Sequence, residues 1–391
     1  MRRKKAIVIC GTPLFPDGNA MSLRQQTIGK LLLANEYDVE IIGFTLTCMN
    51  SPNILNDIHY RLYPKCAKTV ILKVKELYFF NKFVTNYLLE NRNVPDLILV
   101  TELFPYLFTW VKVFSNNHNV TCLHDCVEYY SLDQVFGDIK YLISYLFALI
   151  RIKLLVDHSI SVISISSYLN TYFSNRNILS FRLPVIMDKT LFCTMSKAES
   201  DTILRISYAG SPGRKDYLKE IITAIRGLTI EEKAQIDFTL MGIDQNTLAK
   251  LCCLSYKDIT TMDCLHTLGR VPRNEVIQHL NETDFTILIR SSTARYAKAG
   301  FPTKVVESLM SSTPVILNMT SDLGMYLKDG YDCIEVEHED SESIARALRR
   351  ALTLTPEQKD QMKKNARKTA EENFDYRLYI EEFGKFINNE S

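Results

Sequence analysis

The sequence predicts an α/β protein built as two similar halves, each a parallel sheet with covered faces. Three observations predict it. Short apolar runs rich in β-branched residues alternate with helix-period stretches along the chain. The alternation resets near Leu183-Pro-Val-Ile-Met-Asp188 and starts again with a strand. A length of 391 residues suits about two domains at roughly 150 residues each.

The elements follow in order. Ala6–Cys10 reads as a buried strand, Gly11–Asn19 as a Gly/Pro loop, and residues 20–35 as a helix. Val39–Phe44 is a second strand, and Val70–Leu72 is taken as a third. Leu97–Thr101, Thr121–His124 and Ser159–Ser164 continue the set, with a helix over Ser166–Asn175. The second half offers strands at Arg205–Ala209, Asp237–Met241, His266–Gly269, Phe285–Ile289, Pro314–Asn318 and Cys333–Val336. Helices are expected at about Arg273–Thr283 and Ser341–Thr353, and from Pro356 to Asn388. Ligands of such sheets bind at the carboxyl ends of strands, so the functional residues are sought after strands, with the site expected in the cleft between the halves.

Composition narrows the function. The net charge is +1, without the basic excess of a nucleic-acid binder. Residues 1–188 hold 19 Lys and Arg against 15 Asp and Glu. That mild basic bias suits an anionic membrane surface or a phosphate-linked acceptor, and equally suits chance. The ten cysteines form no C-x-x-C pair, so buried free thiols in a reducing cytoplasm are expected. Arg2-Arg3-Lys4-Lys5 before an apolar run resembles a leader, but the run is short and Gly-Thr-Pro breaks it. Tyr141–Ile150 is too short to span a bilayer. A buried helix is the expectation there, with a membrane-facing helix flanked by Lys140, Arg151 and Lys153 as the alternative.

The most informative segment is Ala299-Gly-Phe-Pro-Thr-Lys-Val-Val-Glu-Ser-Leu-Met-Ser-Ser-Thr-Pro-Val-Ile316. It reads as a turn, an amphipathic helix with Thr303 as N-cap, and a strand opened by Pro314. A helix N-terminus presents unpaired N–H groups and suits a diphosphate. Glu307 lies one turn in and leans back toward that end, where it is placed to accept two ribose hydroxyls. An ordinary surface turn and helix fit the same spacing.

Gly300, Phe301, Glu307, Pro314 and Val315 also resemble the C-terminal motif of retaining glycosyltransferases of family 4. These have the GT-B fold of two Rossmann-like domains facing each other across a cleft. In that family the motif runs Glu-Gly-Phe-Gly, then a helix with a second Glu, then Gly-x-Pro-Val. Here Ala299 stands at the first Glu and Pro302 at the second Gly, while Lys304 adds a cation. The resemblance implies an acceptor-binding domain over 1–187, to which 374–391 return, and a nucleotide-sugar-binding domain over 188–373.

Other clusters fall after strands. Gly210, Ser211, Arg214 and Lys215 lie in a Gly-rich turn, where the resembling family carries a cationic pair against the diphosphate. Gly269, Arg270 and Val271 occupy the loop that in the family cups the base. His124 ends a strand where related enzymes contact the donor sugar, and Asp125 and Glu128 beside it are, with Arg24, the candidate acceptor contacts. Gly18 and Arg24 belong to the first loop and helix, which the family sets near diphosphate and acceptor. Each of these also reads as an ordinary turn, a solvated charge or a locally satisfied histidine.

The implied activity is transfer of a sugar from a nucleotide-diphosphate donor, a UDP-sugar ahead of a GDP-sugar, with retention. The acceptor would be a glycan or lipid-linked molecule of bacterial surface polysaccharide synthesis, met in the cytoplasm or at the inner membrane face. Arg214, Lys215, His124 and the N–H groups of 300–304 would carry the chemistry. No Asp-x-Asp clamp stands near these residues, so neither metal nor other cofactor is expected. Two rivals remain: a nucleotide-sugar epimerase of the same architecture, and a non-catalytic sugar-nucleotide-binding protein, which Ala299 motivates. A dehydrogenase fits less well, since Gly-x-Gly-x-x-Gly is missing after the first strand.

Overall fold

A computed structural model describes residues 3–16, 19–46, 54–65, 70–90, 94–129, 139–192, 203–212 and 215–388. The chain divides into two compact units, Met1–Met187 with Tyr376–Ser391, and Asp188–Asp375.

The first unit holds one eight-stranded sheet. Its strands are β1 (Lys4–Leu14), β2 (Tyr37–Thr45), β3 (Ile54–Leu55), β4 (Ile58–Pro64), β5 (Leu97–Thr101), β6 (Thr121–Cys126), β7 (Ser161–Ser164) and β8 (Ser180–Arg182). The order is β3-β4-β2-β1-β5-β6-β7-β8, parallel except for the β3–β4 pair. Ala6 to Cys10 and Leu97 to Thr101 are buried throughout. A parallel strand covered on both faces has no solvent side, which is why these runs are continuously apolar. One face packs against the Ala20–Ala34 helix and the C-terminal Ile380–Ile387 helix, whose Phe383 and Ile387 join Val8, Ile28, Leu31 and Val39 in one cluster.

The structure departs from the sequence reading here in three places. Val70–Leu72 is not a strand but the start of a 21-residue helix, Val70–Glu90. Its apolar period continues through Phe80, Val84 and Leu88, all buried, and Phe80 stacks on Phe44 at 4.2 Å between centroids. The strand that pairs beside β2 is instead Ile58–Pro64, which the sequence reading does not name. The Ile139–Ile150 helix is buried on one side only: Tyr145 and Ala148 are enclosed, while Leu142, Ile143 and Leu146 are exposed. The loop expected from Gly11 is shorter too, because β1 runs to Leu14.

The second unit carries β9 (Leu204–Ala209), β10 (Ile236–Met241), β11 (Leu265–Gly269), β12 (Phe285–Leu288), β13 (Val315–Leu317) and β14 (Cys333–Glu335). All pairs are parallel, in the order β11-β10-β9-β12-β13-β14. Each strand overlaps its predicted run. This is the doubly wound order, with chain direction reversing between β9 and β12. Connections leaving β9 and β12 diverge there, opening a crevice at their carboxyl ends. The first sheet has the same reversal between β1 and β5. Both points are crowded: a Cβ on Gly11 would run into the Glu102 backbone carbonyl, and one on Gly210 into the Lys304 side chain.

Candidate anion-binding site at the second switch point

Glycines mark the ends of three adjacent strands. Gly210 has φ +129°, Gly242 φ +97° and Gly269 φ +63°, conformations that L side chains rarely adopt. A Cβ on Gly242 would lie 2.6 Å from the Gly210 carbonyl, and the Gly242 N–H donates to Gly269 O at 2.5 Å. The turns after β9, β10 and β11 therefore nest against one another.

Asp216, beyond the β9 turn, organises the charges at the reversal. Its Oδ2 accepts from Lys304 Nζ at 2.5 Å and from Tyr208 Oη at 2.6 Å. Its Oδ1 accepts from Arg290 Nε at 2.7 Å. Lys304 Nζ also donates to Tyr208 Oη at 2.6 Å. Burial raises the Asp216 carboxyl, but Lys304 and Arg290 outweigh it and hold the group well below the usual range. Burial pushes Lys304 down, against the pull of Asp216. Burial and the Asp216 charge both raise the Tyr208 phenol, so it stays protonated and donates. Two cations share one carboxylate, leaving a net positive cluster.

The Thr303–Met310 helix starts at the same place. Its N-cap is Pro302, not Thr303, which lies at the first helical position. Proline has the fixed φ for a helix start but no side-chain acceptor, so no side chain caps this end. The Gly300 N–H is used by Tyr296 O at 2.9 Å and that of Val305 by Pro302 O at 3.1 Å. Phe301 is turned inward against Tyr326 and Phe374, at 5.8 and 5.7 Å between centroids, so it contributes backbone rather than side chain to the crevice. Ala299 is fully buried at the end of the Arg295–Ala299 helix.

Glu307 stands one turn in, as expected, but engaged: Arg273 Nη1 donates to its Oε1 at 2.5 Å. Arg273 opens the helix that follows Gly269, Arg270 and Val271, and Arg270 is exposed. The pair thus ties the β11 turn to the Thr303–Met310 helix. Ser211 is exposed, and Lys215 is part-buried with Nζ 5.9 Å over the Tyr296 ring. Arg214 and Gly18 lie outside the described residues.

The first unit's candidates gather differently. His124, Asp125 and Glu128 line one recess together with Glu102 and Arg151. The His124 ring faces Val100 O through Nδ1 at 3.2 Å and stands edge-on to Phe108. Burial, then the nearby Arg151 cation, lowers its pKa to about 4. A ring nitrogen against a carbonyl must donate, so the neutral imidazole carries its proton on Nδ1 and offers Nε2 as an acceptor. Arg24 and Asp125 are spent on each other. Arg24 Nε and Nη2 both reach the Asp125 carboxylate, at 3.0 and 2.9 Å, and Gln25 Nε2 adds a third donor at 2.5 Å. The remaining Arg24 donors reach Pro184 O and Leu183 O at 2.7 and 3.1 Å. This buried pair anchors the Ala20–Ala34 helix to the segment after β8. The separate acceptor contacts expected of Arg24 and Asp125 do not fit that geometry, because both charges are already enclosed.

Residues 197–369 match the family model described as Glycosyl transferases group 1. No curated protein sequence matches the chain. Solved structures match nearly all of it. Sucrose-phosphate synthase from Thermosynechococcus elongatus superposes with TM-score 0.70 at 16% identity, covering 99% of each chain. HepE from Anabaena in complex with UDP-glucose gives 0.68 at 14%, over 99% of this chain and 100% of that one. WaaG, a glycosyltransferase involved in lipopolysaccharide biosynthesis, gives 0.68 at 14%, over 97% and 99%. At such identities the likeness is one of fold: mixed α/β with two parallel sheets, the GT-B type.

Over residues 197–369 the sequence reading singles out Gly210, Gly269, Lys304 and Glu307 but not the side chains that pair with Lys304 and Glu307. Asp216, Tyr208 and Arg273 carry no role in that reading. The available signal was an acid directly after Lys215 in a turn that also needs cations. Among the described residues no three His, Cys, Asp or Glu side chains gather as a metal site. The described cysteines are free thiols, all buried except Cys253.

Proposed function

We propose that this protein is a retaining, metal-independent glycosyltransferase that takes its sugar from a nucleotide diphosphate. The observation that carries this reading is the positive cluster of Lys304 and Arg290 around Asp216, beside the uncapped N-terminus of the Thr303–Met310 helix. Departure of a nucleoside diphosphate from an anomeric carbon leaves negative charge on the β-phosphate. Preorganised cations and N–H groups stabilise that charge without reorganisation. Lys215, from the adjoining turn, adds a third cation. Glu307, aligned by Arg273, is positioned for the ribose hydroxyls. His124, neutral with Nε2 accepting, suits a sugar hydroxyl as donor.

The UDP-glucose complex of the Anabaena protein favours a UDP-sugar, and the lipopolysaccharide role of WaaG favours a surface-polysaccharide or lipid-linked acceptor at the cytoplasmic membrane face. Retention follows from the resemblance, with the leaving phosphate assisting deprotonation of the acceptor. A second reading, sugar-nucleotide binding without catalysis, is favoured by one observation: Ala299 has no carboxylate where the resembling family carries Glu.

A thermal-shift series with UDP, GDP and ADP tests the donor, because a bound ligand raises the melting temperature by mass action. UDP is expected to give the largest shift. Transfer or donor hydrolysis above background excludes the binding-only reading. Conversion of the donor alone to an isomer would make the protein an epimerase instead. If Glu307→Ala and Lys215→Ala both keep full activity, the site is wrongly placed.

A further inference from the structure

We propose that the first unit docks on an anionic lipid surface through one helical face of its sheet. The crossovers from β4 to β5, β5 to β6 and β6 to β7 all run in one direction along the sheet. Right-handed crossovers then place the helices Val70–Glu90, Pro105–His118 and Ile139–Ile150 on the same face. The β1-to-β2 crossover runs the other way, and its helix shares the opposite face with Ile380–Ile387. Phe104 and Phe147 meet edge to face at 5.3 Å and join the second helix to the third.

The outer side of these helices is apolar where an ordinary surface is polar. Val70–Glu90 exposes Leu72, Val74, Tyr78, Phe79 and Leu89. Pro105–His118 exposes Tyr106 and Val113. Ile139–Ile150 exposes Leu142, Ile143 and Leu146, and Leu154 beyond it is 73% exposed. Apolar patches of this kind on soluble proteins mark interaction surfaces. Lys73, Lys75, Lys82 and Lys153 are exposed among them.

Charge decides the occupant. Residues 70–90, 105–118 and 139–155 together hold seven Lys and Arg and two acids, against 39 and 43 in the remaining chain. The basic bias of the N-terminal half therefore resides in these helices. A second copy meeting this face with the same face would oppose like charges. Anionic headgroups over hydrocarbon satisfy both features at once: lysines reach phosphate while Tyr, Phe and Leu enter the interface. Among the described residues no helix is long and apolar enough to cross a membrane, so the contact is lateral. This inference deepens the proposed placement of the acceptor at a membrane face, and because binding to lipid needs no sugar donor, the docking and the reaction fail separately.

Flotation with vesicles tests it. The full chain is expected to float with phosphatidylcholine vesicles containing phosphatidylglycerol and to stay behind with phosphatidylcholine alone, and salt should release it. Lys73→Glu/Lys75→Glu/Lys82→Glu and Tyr78→Ser/Phe79→Ser should each weaken binding about tenfold or more, while keeping the wild-type melting temperature and UDP-induced shift. Should the helix variants melt early, Leu154→Ser on the exposed turn reads the same loss. Equal flotation with both vesicle types, or variants that float like wild type, overturns the proposal. So does a dimer that Tyr78→Ser/Phe79→Ser dissolves while wild type ignores vesicles.

Discussion

The two switch points share a backbone plan and differ in charge. Each has a central strand, a reversal of order, and a glycine where the chains crowd, Gly11 in one and Gly210 in the other. At the second, one carboxylate, Asp216, faces two cations and a helix N-terminus without a side-chain cap. In the first unit, by contrast, Arg24 and Asp125 neutralise one another and His124 is held neutral. Duplicate architecture thus does not mean duplicate chemistry. An anion site needs surplus positive charge that the protein has not already consumed, and the second unit has that surplus.

The largest expected effect comes from removing the carboxylate that gathers the cations. Asp216→Ala leaves Lys304 and Arg290 facing each other part-buried, and should destabilise the second unit by about 3–5 kcal/mol, read by urea unfolding. Arg24→Ala strands Asp125 in the first unit and should cost a comparable ~3 kcal/mol. It should leave the intrinsic affinity for UDP unchanged in a titration made well below the melting temperature. Loss of UDP binding in Arg24→Ala would break the assignment of nucleotide to the second unit.

Lys304→Met should weaken UDP binding by roughly 30-fold, the range of one charge-assisted contact to phosphate, measured by calorimetry. Glu307→Ala should weaken it by about tenfold, and Arg273→Ala by less, since Arg273 acts only by aiming Glu307. An Arg273→Ala effect larger than that of Glu307→Ala would make Arg273 the ligand contact.

The His124 titration sharpens the comparison from the other side. Its folded pKa, about 4 against 6.5 for a free histidine side chain, lies below that of the unfolded chain. The unfolded chain therefore binds the proton first, and stability falls as pH drops from 6.5 toward 4. The full span is on the order of 3 kcal/mol. His124→Phe should flatten that part of the profile in urea unfolding at pH 7 and pH 5. An unchanged slope would mean the imidazole is not buried neutral.

Much of the fold was legible because its signals are local. Parallel strands covered on both faces announce themselves as apolar runs, and Pro302-Thr303 with Val305, Val306, Leu309 and Met310 announces a helix start. Val70-Ile71-Leu72 misled because three apolar residues fit either period, and only the continuation to Phe80, Val84 and Leu88 selects a helix. The Ile139–Ile150 helix misled because an apolar run does not say whether protein or another surface will cover it.

Local chemistry along the chain was enough to set most of the segments that form strands and helices, where the glycine turns fall, and that a helix N-terminus follows Pro302, because each depends on neighbours a few residues away. Strand order decided the rest. It brought Asp216 to Lys304 across 88 positions and to Arg290 across 74, and Arg24 to Asp125 across 101. No periodicity encodes such distances, so which charges are spent and which remain for a ligand emerges only when the sheets are assembled.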